Sequence, residues 1–338
     1  MKQIIVKKYG PPSLVVECEE VAVPTDPSTW EVIVQIDAFP LNPADSAMIL
    51  GQYGFLNQPP TPIGMEAAGH VVEVGKCVKD LCVGDPVILL ANNNWSQYRK
   101  VPATLVVKVP AGADMNQMSM LKVTGLTAWK LLTEFATLKP GDSVIQNAPL
   151  SAVGQYVIQL ANLIGLKTIN LVRRESQITQ VQNLGGTSCF VDEEDVVLHV
   201  REQIGKTPLR LALDCVGGQS TERLARCLNE HGTVVNYGML SMEPCVISPE
   251  HLIFRNVSLV GFWLSRILNK MSAVDRNQQV SQLASWVCDG KLSGAVDSIF
   301  PIEQITEAIR RSEQSGRAGK VLVNPTMQPH TLQKDRLI

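Results

Sequence analysis

No apolar stretch in the 338 residues approaches the ~20 that a membrane-spanning helix needs. Near the start the apolar block is only Ile4, Ile5 and Val6, too short for the core of a secretory signal and suited to a first strand. Basic residues never run beyond a pair. With a formal net charge of −2 and 18% charged residues, the balance argues against a nucleic-acid or anionic-membrane surface. The eight cysteines (18, 77, 82, 189, 215, 227, 245 and 288) form no Cys-x-x-Cys pair. They read as reduced thiols used as small apolar residues. The five histidines (70, 199, 231, 251 and 330) match no metal-ligand or triad spacing. Aromatics are scarce at 5%, with five tyrosines. One of these, Tyr53, sits between Gly51 and Gly54 in MILGQYGFL (48–56), ahead of the proline-rich NQPPTP. Its ring could pin the loop by burial, or its phenol could face a substrate.

What is present is a soluble, 45% hydrophobic composition in a chain long enough for two domains. The first ~120 residues are strand-rich: EVIVQIDAF, GHVVEVG, DPVILLA and TLVVKVP are separated by dense Pro and Gly. At residue 121 the rhythm changes. LKVTGLTAWKLLTEFATL has helical spacing and ends at the turn LKPGD. Strands (DSVIQNA, KTINLV, SCFVD, LRLALDCV, GTVVNYG, VSLVGFW) then alternate with helices of ten or so residues. That alternation implies a parallel sheet covered on both faces. After residue 268 come one more helix, the segment SIFPIEQITEAIRRSEQ and the strand KVLVNP; the polar TMQPHTLQKDRLI reads as a surface tail.

QNAPLSAVGQYVIQLA joins the first of these strands to its helix, where a doubly wound fold binds a pyrophosphate on exposed N–H groups. The G-x-G-x-x-G template is poorly met. Only Gly154 survives, with Ser151 and Ala152 where glycines are usual; an ordinary strand–helix turn is the competing reading. The next strand ends in NLVRRES. An NAD site usually carries Asp or Glu there, but this chain has Arg173 and Arg174, 19 and 20 residues after Gly154. Two guanidiniums can grip a 2′-phosphate, which points to NADP(H); two solvated arginines at a strand end is the alternative.

LNPAD, PIGMEAAGHVVEVG, VGDPVI and the LTAW segment are similar to landmarks of the medium-chain dehydrogenase/reductase superfamily. Within it, MILGQYG, PGDSVIQNA…SAVGQYVIQLA, GLKTINLVR, RLALDCVGG and GFWLS resemble the NADPH-dependent trans-2-enoyl thioester reductases, over nearly the whole chain. The resemblance implies an α/β fold: a Rossmann-type doubly wound parallel sheet (122–267) plus a GroES-like, strand-rich catalytic domain (1–121 and 268–338). It implies NADPH-dependent reduction of the 2,3-double bond of an enoyl-CoA or enoyl-carrier-protein thioester, with Tyr53 as proton donor. The expected cofactor-binding set is Ser151, Ala152, Val153 and Gly154 at the phosphate turn; Arg173, Arg174 and Glu175 at the 2′-phosphate; Tyr237, Gly238, Met239 and Leu240, and Phe262, Trp263, Leu264 and Ser265, as loops near nicotinamide; Thr124, where these reductases have asparagine; and Lys320, as a basic residue near the cofactor. Glu175 replaces a residue often basic in the family, and the Phe262–Trp263 pair suits a packed wall as well as a cofactor wall. Asp45 and Glu66 are expected to serve structural hydrogen bonding.

Zinc is not expected. Asn42 and Met65 stand where the zinc alcohol dehydrogenases have a cysteine and a histidine ligand, and neither residue type suits the metal. Cys77 and Cys82 are too few for a structural-zinc lobe. The resemblance further implies a homodimer through edge pairing of the Rossmann sheets and a cleft between domains for substrate and nicotinamide. With no transit segment before the first strand, a bacterial cytoplasm is expected ahead of a processed mitochondrial matrix form. Two other readings stay open: a zinc-free quinone or small-enone reductase on the same scaffold, and a nucleotide-binding protein without catalysis.

Overall fold

The structure, a computed structural model, describes residues 1–205 and 207–328. The polar tail expected over 326–338 lies outside the described residues from Pro329 onward. Two compact units divide the chain: Met1–Val123 with Asn277–Asp289 and Gly294–Ile338, and Thr124–Arg276 with Gly290–Ser293.

In the first unit the strands are β1 (Lys2–Val6), β2 (Val16–Glu20), β3 (Glu31–Pro40), β4 (Thr61–Pro62), β5 (Ala67–Val74), β6 (Pro86–Leu89), β7 (Tyr98–Pro102) and β8 (Val106–Lys108). In the second they are β9 (Ser143–Asn147), β10 (Lys167–Val172), β11 (Ser188–Val191), β12 (Leu209–Asp214), β13 (Thr233–Asn236) and β14 (Ser258–Gly261). The chain then returns to the first unit with β15 (Val296–Pro301) and β16 (Lys320–Asn324).

β3 organises the first unit. Its alternate and adjacent apolar residues Val32, Val34, Ile36 and Phe39 are buried, and Phe39 stacks on the buried Trp95 with centroids 5.7 Å apart. It lies in a 7-stranded sheet of order β15-β16-β3-β5-β6-β8, with β7 also paired to β3. A 3-stranded sheet, β2-β1-β4, packs its Ile4 and Val6 into the same core. β16 runs antiparallel to β3, pairing Leu322 with Pro40 and Val323 with Phe39. That register carries the start of β16 to the end of β3, a juxtaposition of residues nearly 280 positions apart in sequence.

The second unit holds a 6-stranded parallel sheet in the order β11-β10-β9-β12-β13-β14. This is the doubly wound order, in which the chain starts at the middle and works outward to both edges. β9 is buried along its whole length and β10 and β12 nearly so, as strands covered on both faces must be. The first covering helix, Ala152–Leu163, buries Tyr156, Val157, Leu160 and Ala161. Burial pushes the thiols of Cys189, Cys215 and Cys227 up, to about 11, 12 and 12, so these cysteines behave as apolar residues. No helix among the described residues is long and apolar enough to cross a membrane.

One expected element differs. The helix read over 121–138 begins as a π-helical turn, Leu121–Gly125, and its α-helical part is only Leu126–Thr133. The backbone N–H of Val123 donates to Glu66 Oε2 at 2.6 Å, and the Lys122 ammonium is drawn to the Met65, Ala91 and Asn92 oxygens. Those pulls from outside the helix widen its first turn.

The returning strands are tied by an ion pair. Arg311 donates Nε and Nη2 to the two oxygens of Asp297 at 2.7 and 2.6 Å, and the Ala318 N–H donates to Oδ1 at 2.9 Å. The Arg311 guanidinium holds the Asp297 carboxyl well below the usual carboxylate range. A depressed folded-state value stabilises the fold above the unfolded value of ~3.9, and that contribution is lost as pH falls through the folded value. Asp297→Asn should therefore lower the melting temperature at pH 7 by roughly 3 °C or more. The gap to the wild type should narrow in thermal scans below pH ~4.

Candidate functional site

The first unit carries the tyrosine loop and a buried polar cluster. The helix Pro43–Ile49 ends in Gly51, whose φ of +75° falls in the left-handed region. A Cβ there would also stand 3.1 Å from the Tyr9 ring. Tyr9 in turn donates its hydroxyl to the Asn57 carbonyl at 2.8 Å, so it grips the loop on both sides of Tyr53. Tyr53 itself is half-buried against the core, with its ring edge-on to Phe55 at 5.2 Å. Tyr9 thus holds the loop from outside, while the Tyr53 ring itself packs against the core as a loop anchor would.

Asn42 caps the Pro43–Ile49 helix. Its N–H donates to Asp45 Oδ2, and the Met65 N–H donates to Asp45 Oδ1, each at 3.0 Å. The Asn42 amide donates from Nδ2 to Glu66 Oε1 at 2.9 Å and accepts at Oδ1 from the Lys320 ammonium. Lys320 donates also to the Leu41 carbonyl at 3.2 Å. Asp45 and Glu66 are fully enclosed. Burial pushes the Asp45 carboxyl up to about 7, against its two backbone donors and Lys320; burial likewise raises Glu66 and lowers Lys320. The acids thus do the structural hydrogen bonding expected of them. Lys320, on β16, places its ammonium against Leu41 and Asn42.

In the second unit the parallel strands bring their carboxyl ends to one edge, and the expected nucleotide residues follow those ends in the chain. Between β9 and the Ala152–Leu163 helix the chain turns through Ala148, at a φ of 49° that is uncommon for a residue with a side chain. Ser151 is the helix N-cap, its Oγ accepting from the Gly154 N–H at 3.1 Å. First-turn N–H groups of Ala152 and Val153 remain available to a ligand. Gly154 is required by close approach: a Cβ would meet the Ala148 carbonyl oxygen at 2.6 Å. Arg173 and Arg174 follow β10, exposed, and neither forms an ion pair among the described residues; Glu175 beside them is exposed too.

Asp214, at the end of β12, accepts from Asn147, Thr221 and the Val216 and Gly217 N–H groups, which locks the strand ends together. Tyr237 follows β13, its N–H donating to the Asp214 carbonyl. Burial raises its phenol well above the ordinary range, with Cys215 and Ser151 beside it. The Gly238 carbonyl accepts from Asn236 Nδ2, while Met239 and Leu240 are exposed. After β14, Phe262 lies tilted on Phe135 at 6.1 Å and Arg266 sits over the Trp263 ring at 5.6 Å. Leu264 is buried and Ser265 half-buried in the helix that follows. Thr124 is buried in the π-helical turn. The structure thus gathers Ser151 and Tyr237 around one strand-end cluster.

Comparison with known proteins settles the family. Residues 28–111 match the alcohol dehydrogenase GroES-like domain and residues 152–284 the zinc-binding dehydrogenase family. The mitochondrial enoyl-acyl-carrier-protein reductase of Xenopus tropicalis is 35% identical over 321 residues, covering 92% of this chain and 91% of its own. The chain belongs to the medium-chain dehydrogenase/reductase superfamily, among the enoyl thioester reductases. Of solved structures, the Etr1p complex with NADP and crotonyl-CoA superposes with a TM-score of 0.87 at 25% identity, covering 96% of this chain and 99% of that one. A putative NADPH:quinone reductase from Bacillus thuringiensis gives 0.88 at 25%, covering 96% and 98%.

The zinc implied by one family description does not fit this member of the superfamily. The ligand positions are Asn42, whose amide is spent on Glu66 and Lys320, and the thioether Met65. Among the described residues no group of three or more His, Cys, Asp or Glu could hold a metal ion. A nicotinamide dinucleotide fits better: the turn is sterically shaped around Gly154, and two exposed cations stand at the next strand end without an ion pair among the described residues. Residues that sequence reasoning passed over are Tyr9 and Ala148. Tyr9 gave no local signal, since its partners Gly51 and Asn57 lie more than forty positions away.

Gly154→Ala tests the turn. The added methyl has only backbone to displace, so the variant should lose about 1–3 kcal/mol of stability in denaturant titration. An unchanged midpoint would mean that the turn relaxes freely.

Proposed function

We propose that the protein uses NADPH to reduce the 2,3-double bond of trans-2-enoyl thioesters, with Tyr53 giving the proton. The observation that carries this reading is a phenol on a loop held by Tyr9, in a unit whose metal-ligand positions are taken by Asn42 and Met65. The similarity to enoyl-acyl-carrier-protein reductases across 92% of the chain supports it. Ser151, Ala152, Val153 and Gly154 would hold the pyrophosphate, and Arg173 and Arg174, with Glu175 beside them, the 2′-phosphate. Tyr237–Leu240, Phe262–Ser265 and Thr124 would shape the nicotinamide end.

Bound NADPH supplies a hydride to the β-carbon. Negative charge then develops on the thioester oxygen, and the α-carbon must take a proton. A phenol keeps its proton at neutral pH and can act as the acid, and the resulting phenolate recovers its proton from water. Arg173 and Arg174 offer the bidentate donors that an additional phosphate selects.

Steady-state reduction of crotonyl-CoA tests the reading. NADPH should be preferred over NADH by about tenfold or more, and Arg173→Ser with Arg174→Ser should erase the preference. Tyr53→Phe should lower kcat by about 100-fold with little change in KM. Preference for naphthoquinone, undiminished in Tyr53→Phe, would favour the quinone-reductase reading that the Bacillus thuringiensis structure keeps in view. Nicotinamide binding without turnover of any enone would favour a non-catalytic role.

The relatives' names place them in mitochondria, which favours that compartment over the bacterial cytoplasm expected from the start of the chain. The partner we propose is a second copy, through β14. That strand is an edge of the sheet, and Ile253 and Phe254 just before it are 68% and 78% exposed. Phe254→Asp should shift the protein from dimer to monomer in sedimentation; a monomeric wild type would overturn the assignment.

A further inference from the structure

Lys320 lies on β16, whose pairing with β3 brings it to Leu41 and Asn42. Its ammonium does there what a bound cation would do: it collects oxygens from the end of a strand and the start of a helix, next to two buried acids. The Asn42 amide can face only one way, with Oδ1 to Lys320 and Nδ2 to Glu66. That orientation sets the first residue of the Pro43–Ile49 helix, and Asp45 reinforces it through the Asn42 and Met65 N–H groups.

The helix then carries the placement to its other end without a flexible break. Ile49 is fully buried, and its carbonyl accepts from the Gly10 N–H at 3.1 Å. The Leu50, Gly51 and Gln52 N–H groups donate back to Ser46, Met48 and Ala47 at 2.9, 3.1 and 2.8 Å. Gln52 immediately precedes Tyr53.

We propose that Lys320 is a positioning residue for Tyr53: its buried ammonium fixes the start of the Pro43–Ile49 helix, and the helix fixes the phenol. The inference rests on the proton-donor reading of Tyr53. Without the ammonium, Asn42 is free to turn and the helix start can shift. A misplacement of about 1 Å at a reacting group can cost about 100-fold in rate.

A double-mutant cycle on crotonyl-CoA reduction tests this, with NADPH affinity followed separately by nicotinamide fluorescence. Lys320→Met should lower kcat by about tenfold or more and leave the NADPH Kd within about twofold. In a Tyr53→Phe background the same change should cost nothing further, because the group it positions is gone. Lys320→Gln, which keeps one donor for Asn42 Oδ1 and leaves Glu66 free to take up a proton, should fall between the two. It decides the cycle if Lys320→Met does not fold. Independent losses from the two sites would overturn the proposal, as would a weakened NADPH Kd with kcat intact. If Tyr53→Phe alone leaves kcat unchanged, the proton-donor reading itself fails and takes this inference with it, a result distinct from independent losses.

Discussion

A buried ammonium among two carboxyls and two carbonyl oxygens is the constraint on which the first unit's chemistry rests. Taking an ion out of water costs several kcal/mol unless its charge is balanced and its hydrogen-bonding capacity used. Lys320, Asp45, Glu66 and Asn42 meet that condition together, and none could meet it alone. Such a cluster contributes little net stability. Its consequence is geometric: it leaves Asn42, and with it the helix leading to Tyr53, one arrangement. In this chain the Lys320 ammonium, on a returning strand, holds the Asn42 amide.

The second unit meets a different demand. A dinucleotide needs an edge where backbone donors, small residues and cations converge. Parallel pairing supplies the edge by sending the ends of β9, β10, β12, β13 and β14 the same way. Asp214 then joins β12 to the helix that follows and to Asn147 of β9. Against that rigid edge the Ala148–Gly154 turn can depart from the glycine-rich pattern. Ser151 does the work of a cap, and only Gly154, pressed on the Ala148 carbonyl, has no substitute.

Much of this was legible along the chain because it is local. The βα alternation, the buried strands, the strand–helix turn at Ser151–Gly154 and the arginine pair each show within a window of about twenty residues. What escaped was whatever depends on distant partners. Lys320 is singled out by resemblance alone, and its contact with Asn42 shows only once β16 is laid beside β3. The π-helical turn at Leu121–Gly125 follows from Glu66 capturing the Val123 N–H, nearly sixty residues away. Tyr9 looks like an incidental aromatic until Gly51 and Asn57 close around it. Ala148 has a residue type that gives no hint of positive φ; the turn imposes it.

The most direct test is where hydrogen from solvent ends in the product. When crotonyl-CoA is reduced by NADPH in deuterium oxide, the account predicts butyryl-CoA with one deuterium at the α-carbon and none at the β-carbon, by mass spectrometry and NMR. Deuterium at the β-carbon, or an undeuterated product, would contradict it.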